Sequence, residues 1–327
     1  MAKVLITGGT GYLGVALTKR LLGDPRTEKV LLLSRSEHRQ AEVAEAFGPA
    51  PRLGFILGDV RDHQRIHDAL YRIDTVVHCA ALKRVDRVTH DPGEIMKTNV
   101  LGTANVVRAC VERGIGRVLV VSSDKCSGPS TEYGCTKLLA EFIAVHANHF
   151  GMPRTRIAVA RYGNVAGSTG SVIPVWRQQA AAGLPLTITD PLMSRFWWAV
   201  REAVDFVLFC LTAMRGGEIL IPKLRAMSIS ALADLVAPGH HRKTIGPRLG
   251  GEKRAEMLFS EDEAARVVEV ANGHAPFFVL EPTYQTWQRP TWKGRPVPAG
   301  QAYRSDTAPQ LTAGEMQAML AEVEGGL

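Results

Sequence analysis

Near its start the chain reads Lys3-Val-Leu-Ile-Thr-Gly-Gly-Thr-Gly-Tyr-Leu-Gly14, an aliphatic strand that breaks into glycines and then into a helical pattern over 13–23. Gly8, Gly11 and Gly14 fall at GxxGxxG spacing. Where side chains are missing at a helix N-terminus, backbone N–H groups can approach a pyrophosphate closely, so this turn is read as a dinucleotide site. The spacing alone is a weak signal, and it gains force from the strand pattern downstream. Short aliphatic runs at 29–33, 53–57, 74–81, 117–121 and 157–161 alternate with helical stretches. Buried parallel strands read this way. The expected fold is therefore α/β, a Rossmann-type doubly wound parallel sheet with a smaller C-terminal substrate-binding domain. Boundaries are expected at 1–165 for the dinucleotide-binding domain and 166–327 for the substrate domain, with 199–222 returning to the first.

The second strand ends in Ser34-Arg35-Ser36-Glu37-His38-Arg39. A site for NAD would place a carboxylate there for the ribose hydroxyls, whereas Ser34, Arg35 and Arg39 offer donors and positive charge suited to a 2′-phosphate. NADP is the expected cofactor, and Glu37 leaves NAD open. Asp59 and Val60, after the third strand, could line an adenine pocket. Small residues, Ala80 and Ala81, stand at the exit of the fourth strand, where a cofactor would pass. Asp91, Pro92 and Glu94 form a cap, a first-turn proline and a capping-box glutamate. They start a helix that carries Asn99 and runs towards residue 112.

Chemistry concentrates in 122–137, Ser-Ser-Asp-Lys-Cys-Ser-Gly-Pro-Ser-Thr-Glu-Tyr-Gly-Cys-Thr-Lys. Ser123, Asp124 and Lys125 follow an aliphatic run and should emerge at the carboxyl end of its strand, where open α/β sheets keep their sites. Tyr133 and Lys137 are four apart, hence on one face of the next helix. A lysine ammonium beside a phenol lowers its pKa and lets it take a proton from an alcohol. Alone, such a pair would be read as surface decoration; beside Asp124 and Lys125 it is read as catalytic.

Beyond the sixth strand, Tyr162-Gly-Asn-Val-Ala-Gly-Ser-Thr-Gly-Ser-Val-Ile-Pro174 has the glycine and hydroxyl density of a phosphate-binding loop. Ser260 with Glu263 and Thr312 with Glu315 cap later helices. The last helix carries an apolar stripe of Met316, Met319, Leu320 and Val323, read as core or subunit contact. Residues 285–306 read as an extended arm. The net charge of +7 is spread, with no basic run of five or six, so small anions explain it better than nucleic acid. Five cysteines without metal-type spacing suggest reduced thiols and no metal site. A strand beginning at residue 3 leaves no room for a signal peptide, and 196–211, the most apolar long segment, is broken by Arg201, Glu202 and Asp205. A cytoplasmic protein, with no membrane span and no nucleic-acid partner, is expected.

With these residues in view the chain resembles the extended short-chain dehydrogenases/reductases, and more narrowly the inverting UDP-N-acetylglucosamine 4,6-dehydratases of bacterial sugar pathways. TGGTGYLG, GDVRD, AALKRV, KTNVLGT, SDK, YGCTK, RYGNVAGSTGSVIP, ITDPLMSRFW and GGEK carry the similarity. RYGNV together with ITDPLMSRFW is its most specific part. Retaining relatives have Asp-Glu where this chain has Asp124-Lys125, which points to the inverting branch. The resemblance implies that Asp124 is the acid for the leaving 6-hydroxyl, Lys125 the base at carbon 5, Ser123 a contact near the 4-hydroxyl, and Tyr133 with Lys137 the oxidation pair. It implies cofactor contacts from Gly8, Thr10, Gly11, Tyr12, Leu13, Gly14, Ser34, Arg35, Arg39, Asp59, Val60, Ala80, Ala81, Lys83, Asn99, Tyr133 and Lys137. Substrate contacts would come from Lys83, Asn164, Ser171, Val172, Arg195, Arg248 and Glu252. The implied activity is conversion of UDP-N-acetylglucosamine, or a close UDP-hexose, to a 4-keto-6-deoxy sugar by an NADP-dependent lyase that forms a homo-oligomer. Departures from the family pattern are Ser123 for threonine, Cys126 for alanine, Ala255 for histidine and an extra glycine at Gly250-Gly251. Two other readings stand beside it: a UDP-sugar epimerase of the same superfamily, and a non-catalytic NADP-binding regulatory protein.

Overall fold

The computed structural model describes residues 3–83, 91–247, 251–271 and 275–324. Lys3–Thr7 (β1), Lys29–Ser34 (β2), Leu53–Leu57 (β3), Thr75–His78 (β4), Arg117–Ser123 (β5) and Arg156–Tyr162 (β6) pair in parallel in the order β3-β2-β1-β4-β5-β6. This is the doubly wound order, and its direction reverses between β1 and β4, where such sheets open a crevice. Val4, Leu5, Ile6, Val76, Val77, Val118, Leu119, Val120 and Ile157 are completely buried. Each contributes roughly 1.5–3 kcal/mol relative to exposure, which is why runs without polar alternation settle in the middle of the sheet.

The later strands are Asn164–Val165 (β7), Leu186–Ile188 (β8), Ser194–Trp198 (β9), Ile219–Pro222 (β10), Arg225–Ser228 (β11), Arg242–Thr244 (β12), Met257–Phe259 (β13), Val267–Val270 (β14), Phe277–Leu280 (β15), Arg295–Pro296 (β16) and Tyr303–Arg304 (β17). β10 lies parallel to β6, and β15, β14 and β16 extend the same sheet antiparallel. β7, β9 and β11 form a small second sheet. A separate core gathers Trp176, Trp197, Leu232, Met316 and Leu320, with Met319 and Val323 packed against it, so the stripe of the last helix is core. The 285–306 arm supplies β16 to the edge of the large sheet and β17 to a pair with β13.

The caps read from sequence are made: Asp91 accepts from the Glu94 amide, Ser260 from Glu263 and Thr312 from Glu315. The helix begun at Asp91 is not uniform. Pro92–Met96 is α-helical, Lys97–Leu101 is a π turn, and Gly102–Arg113 resumes the α-helix. Such one-turn widenings cluster at functional sites, and this one contains Asn99. Among the described residues, no helix is long and apolar enough to cross a membrane.

Candidate active site

The glycine turn at the end of β1 is forced by contact. Gly8 has φ +67°, and a Cβ there would lie 2.8 Å from the Ala80 backbone beyond β4. At Gly14 a Cβ would lie 2.6 Å from the Gly9 carbonyl oxygen, so the helix Tyr12–Leu22 can sit against the turn only without it. Gly11 is the N-cap, and no side chain caps this helix, leaving first-turn amides for another acceptor. Thr10 and Leu13 are half-buried beside it. The Tyr12 hydroxyl donates to the Ala166 carbonyl at 3.1 Å, tying the turn to the loop after β7.

At the end of β2 the Ser34 hydroxyl accepts from Gln40 Nε2 at 3.0 Å, while Arg35 and Arg39 are exposed. Arg35 comes within 4.0 Å of Asp59, whose carboxylate is also bound by Arg61 at 2.6 Å. Burial alone would raise the Asp59 carboxyl, but the Arg61 hydrogen bonds outweigh it and hold it low. Val60 is buried under Gly102. Ala80 and Ala81 are half-buried at the β4 exit. Asn99 faces inward from its π turn: Oδ1 accepts from the Leu82 amide at 2.8 Å, and Nδ2 donates to Leu82 O and Thr136 Oγ1. Its amide thus fastens the β4 exit to the helix Glu132–His146. Beneath it the Thr103 hydroxyl donates to Asn99 O at 2.6 Å, so it accepts from His78 Nε2, whose Nδ1 accepts from Thr7. Burial, then the charge of Lys137, pushes His78 down to about 3, which keeps the imidazole neutral.

Ser123 closes β5, and Asp124–Cys126 is a single 3-10 turn. Asp124 is completely buried. Its Oδ1 accepts from Ser123 Oγ and from Lys125 Nζ, both at 3.0 Å, and its Oδ2 has no hydrogen-bond partner among the described residues. Burial chiefly, and the nearby Glu256 carboxylate, raise Asp124 despite the opposing pull of Lys125. Lys125 also donates to Asn164 Oδ1 at 3.2 Å and lies 3.6 Å from Glu256. Desolvation would lower its ammonium, but Asp124 and Glu256 together raise it. Tyr133 and Lys137 both lie on the helix Glu132–His146, with the side chains buried. Burial pushes the phenol up to about 12, opposed first by the charge of Lys125. Lys137 donates to the Val121 carbonyl on β5 at 2.6 Å, and burial lowers its pKa.

Of the residues expected to hold substrate, Asn164 touches Lys125 directly. Arg195 is buried on β9 and donates to the Ser194 and Arg254 carbonyls, with Nε 3.9 Å from Glu256. Ser171 is the N-cap of the helix Val172–Ala181; its hydroxyl oxygen is buried without a partner, and no side chain caps that helix. Lys83 is accessible, yet partial desolvation and then the charge of Lys125 lower its pKa. Glu252 is half-buried in the 251–256 segment. Arg248 lies outside the described residues.

That segment supplies what the sequence reading missed. Lys253 donates to the Ser127 and Gly128 carbonyls at 2.8 and 3.2 Å and lies 3.2 Å from Glu256. Glu256 is buried; desolvation would raise it, but Lys125, Arg195 and Lys253 hold it below the usual carboxylate range. Lys253 is three residues away, but no local spacing announces the site, because Lys125 comes from the turn after β5 and Arg195 from β9. On the other side of the 124–128 loop, Arg161 binds Glu141 at 3.0 and 2.6 Å and Glu263 at 2.9 and 2.8 Å. Cys126 donates to Glu141 at 3.0 Å, and Ser127 to Glu263 at 3.0 Å. The loop is held from beneath by one ion cluster and presents another above.

The arrangement has recognisable relatives. The sequence profile described as Polysaccharide biosynthesis protein matches residues 4–275. The UDP-N-acetylglucosamine 4,6-dehydratase (inverting) of Campylobacter jejuni subsp. jejuni serotype O:2 is 39% identical over 316 residues, covering 94% of this chain and 93% of that one. The UDP-glucose 4-epimerase of Rickettsia felis is 37% identical over 271 residues, 80% of this chain and 79% of that one. The X-ray structure of Pen from Bacillus thuringiensis matches with a TM-score of 0.89 at 30% identity, over 98% of this chain and 97% of that one.

Proposed function

Since the chain belongs to the polysaccharide biosynthesis protein family, with the extended short-chain dehydrogenase/reductase fold, we propose that it is a nucleotide-sugar 4,6-dehydratase. The substrate is UDP-N-acetylglucosamine or a close UDP-hexose, the product a 4-keto-6-deoxy sugar inverted at carbon 5, and the cofactor NADP. The observation that carries this reading is the Asp124–Lys125 pair at the carboxyl end of β5, 3.0 Å apart, with Ser123 bound to the same Asp124 oxygen.

The residues fit a dinucleotide. Gly8, Gly11 and Gly14 let the turn and its helix pack closely against backbone, which leaves an uncapped helix end for a diphosphate, and Arg35 and Arg39 offer charge at the β2 exit. A nicotinamide ring bound there would take the hydride from carbon 4 and return it to carbon 6 after water has left, as carbon 5 regains a proton. Tyr133, as the phenolate, then accepts the proton of the 4-hydroxyl oxygen, with Ser123 as a further contact of that oxygen. The resulting ketone acidifies the carbon 5 proton, which passes to neutral Lys125 Nζ. The bond from carbon 6 to its oxygen breaks as that oxygen takes the Asp124 proton and leaves as water. Dehydration therefore begins with Lys125 neutral and Asp124 protonated, and ends with ammonium and carboxylate. One proton transfer along their 3.0 Å hydrogen bond interconverts the two states. Ser171 and the helix end at Val172 suit a diphosphate, with Arg195 as a further donor.

A proton NMR time course with UDP-N-acetylglucosamine in deuterated solvent should show the 4-keto-6-deoxy product, with deuterium at carbon 5. The epimerase reading, favoured by the Rickettsia felis relative, takes over if the product keeps the substrate's mass. Arg35→Ala should weaken NADP more than NAD by roughly 1.5–3 kcal/mol, the worth of a charged hydrogen bond; equal losses in a binding titration would return the choice to NAD.

A further inference from the structure

We propose that Glu256 is a positioning residue for dehydration, a fixed anion that takes over as the counter-charge of Lys125 and thereby frees Asp124 to carry the proton given to the leaving hydroxyl. The inference rests on the dehydratase reading and deepens it.

A lysine base with a single carboxylate neighbour poses a conflict, because the carboxylate that must be protonated to act as an acid is the same one that holds the ammonium in place. The structure supplies a second carboxylate. Lys125 Nζ lies 3.0 Å from Asp124 Oδ1 and 3.6 Å from Glu256 Oε1, with Asn164 Oδ1 at 3.2 Å completing the cradle. The two acids are buried alike but differ in company. Glu256 has three cations around it, with Lys253 at 3.2 Å, Lys125 at 3.6 Å and Arg195 at 3.9 Å. Asp124 has one cation, Lys125, and one hydroxyl; each acid keeps one oxygen without a hydrogen-bond partner among the described residues, Asp124 Oδ2 and Glu256 Oε2, so the cations make the difference. Two titratable groups whose surroundings push their proton affinities apart divide the acid and anion roles between them. The directions agree: Asp124 is raised, chiefly by burial, and Glu256 is lowered by its cations against burial. Among the described residues, Arg195, Lys83 and Tyr133 are further charged and titratable groups that interact with Lys125.

Glu256 is fixed independently of the catalytic turn. Its backbone amide donates to Ser305 Oγ at 3.0 Å, and its carbonyl accepts from the Ser305 amide at 2.9 Å. Lys253, which contacts Glu256, also binds the Ser127 and Gly128 carbonyls at the end of the catalytic loop, so one segment sets both the loop's exit and the anion that faces Lys125.

The test is Glu256→Gln, which keeps the shape and removes the charge. Both limbs of the pH profile for carbon 5 exchange should move to lower pH, because Glu256 raises Lys125 and Asp124 alike. Exchange and water loss should fall by about tenfold to a hundredfold, less than the 10²–10⁴-fold typical of a deleted acid or base, while oxidation at carbon 4 persists as NADPH appearance. A general packing defect would slow both half-reactions and leave the pH limbs in place, and that result overturns the proposal. A second readout needs no turnover: the NMR titration midpoint of ¹³C-dimethylated Lys125, assigned by its absence in Lys125→Met, should fall in Glu256→Gln. Glu256→Asp, with its charge at longer reach, should give an intermediate midpoint and serves alone if Glu256→Gln does not accumulate folded. An unmoved midpoint overturns the proposal in an enzyme that dehydrates its substrate. A shifted midpoint in a wild-type protein that forms no 4-keto-6-deoxy product upholds the coupling and sinks the dehydratase reading instead.

Discussion

Two buried ion clusters lie on either side of residues 124–128, and they are built on opposite terms. Below the loop, Arg161 makes hydrogen bonds to Glu141, Glu263 and the Leu258 carbonyl, and Glu263 also accepts from Ser127 and the Ser260 amide. Above it, Lys125 is shared among Asp124, Asn164 and Glu256, and Asp124 Oδ2 has no hydrogen-bond partner among the described residues. A buried ion cluster with satisfied geometry holds structure, because moving any proton or side chain leaves a charge bare in low dielectric. A cluster with an open oxygen and one lysine shared by two carboxylates can change its proton arrangement at low cost. The same loop joins them, so the rigid cluster holds still what the adaptable one uses.

The largest expected effect exchanges the consequences of losing each cation. Arg161→Met leaves Glu141 and Glu263 buried together, which should cost about 3–5 kcal/mol of unfolding free energy in denaturant titrations, while turnover of the folded fraction changes far less. Lys125→Met leaves Glu256 with Arg195 and Lys253 and leaves Asp124 free to stay protonated. Stability should then move by no more than about 1 kcal/mol, whereas carbon 5 exchange should drop by about 10²–10⁴-fold. NADPH should still appear slowly from the carbon 4 oxidation. Near wild-type release of a 4-keto-6-deoxy sugar by Lys125→Met would place the base elsewhere.

The next effect is one of sign. Asp124 has a folded pKa above its unfolded value of about 3.9, so its contribution to stability is full below that value and is lost as pH rises through the folded pKa. Glu263 is the reverse: burial would raise it, but Arg161 outweighs burial and lowers it. Its contribution is present above about 4.3 and is lost as pH falls through the folded pKa. Asp124→Asn should therefore gain stability relative to wild type as pH rises from about 4 to 7, and Glu263→Gln should lose it relative to wild type as pH rises towards about 4.3, with little further change above that. A tenfold change in proton affinity corresponds to about 1.4 kcal/mol, so differences of that order are expected. Equal slopes in paired unfolding curves would erase the distinction between the clusters.

These clusters also mark how far the sequence could be read. The sheet was legible because burial on both faces leaves unbroken aliphatic runs, and the Asp124-Lys125 turn and the Tyr133/Lys137 face because their members are neighbours in the chain. The partnership of Lys125 with Asn164, 39 residues away, and of Arg161 with Glu263, 102 residues away, left no local trace. Glu263 was visible only as a helix cap, a role it also fills. The π turn at Asn99 escaped because an inserted residue leaves the apolar period almost unchanged. The expectation that Lys137 serves the phenol rested on helical spacing, which does not register the Val121 carbonyl that its ammonium also meets.

The smallest effect, at Cys126, tests whether the two clusters are independent. The resemblance leads one to expect alanine there, and the thiol is buried between Ser122 and Glu141, donating to Glu141 Oε1 at 3.0 Å. Burial first, and then its carboxylate neighbours against Arg161, raise the thiol well above its ordinary value, so it remains a weak donor and not an anion. Glu141 Oε1 receives Arg161 Nε at 3.0 Å as well, so removing the thiol does not leave the oxygen bare. Cys126→Ala should therefore cost about 1 kcal/mol or less, the net worth of one neutral hydrogen bond. Cys126→Ser, with a better donor of similar size, should change stability still less. Neither should shift the pH profile of carbon 5 exchange, because the thiol has no direct contact with Lys125, Asp124 or Glu256 and the loop keeps its Ser127–Glu263 anchor. If Cys126→Ala moved that profile while unfolding free energy stayed the same, proton positions in the lower cluster would be felt in the upper one. The loop would then transmit charge as well as position, and the division into a rigid cluster and an adaptable one would fail.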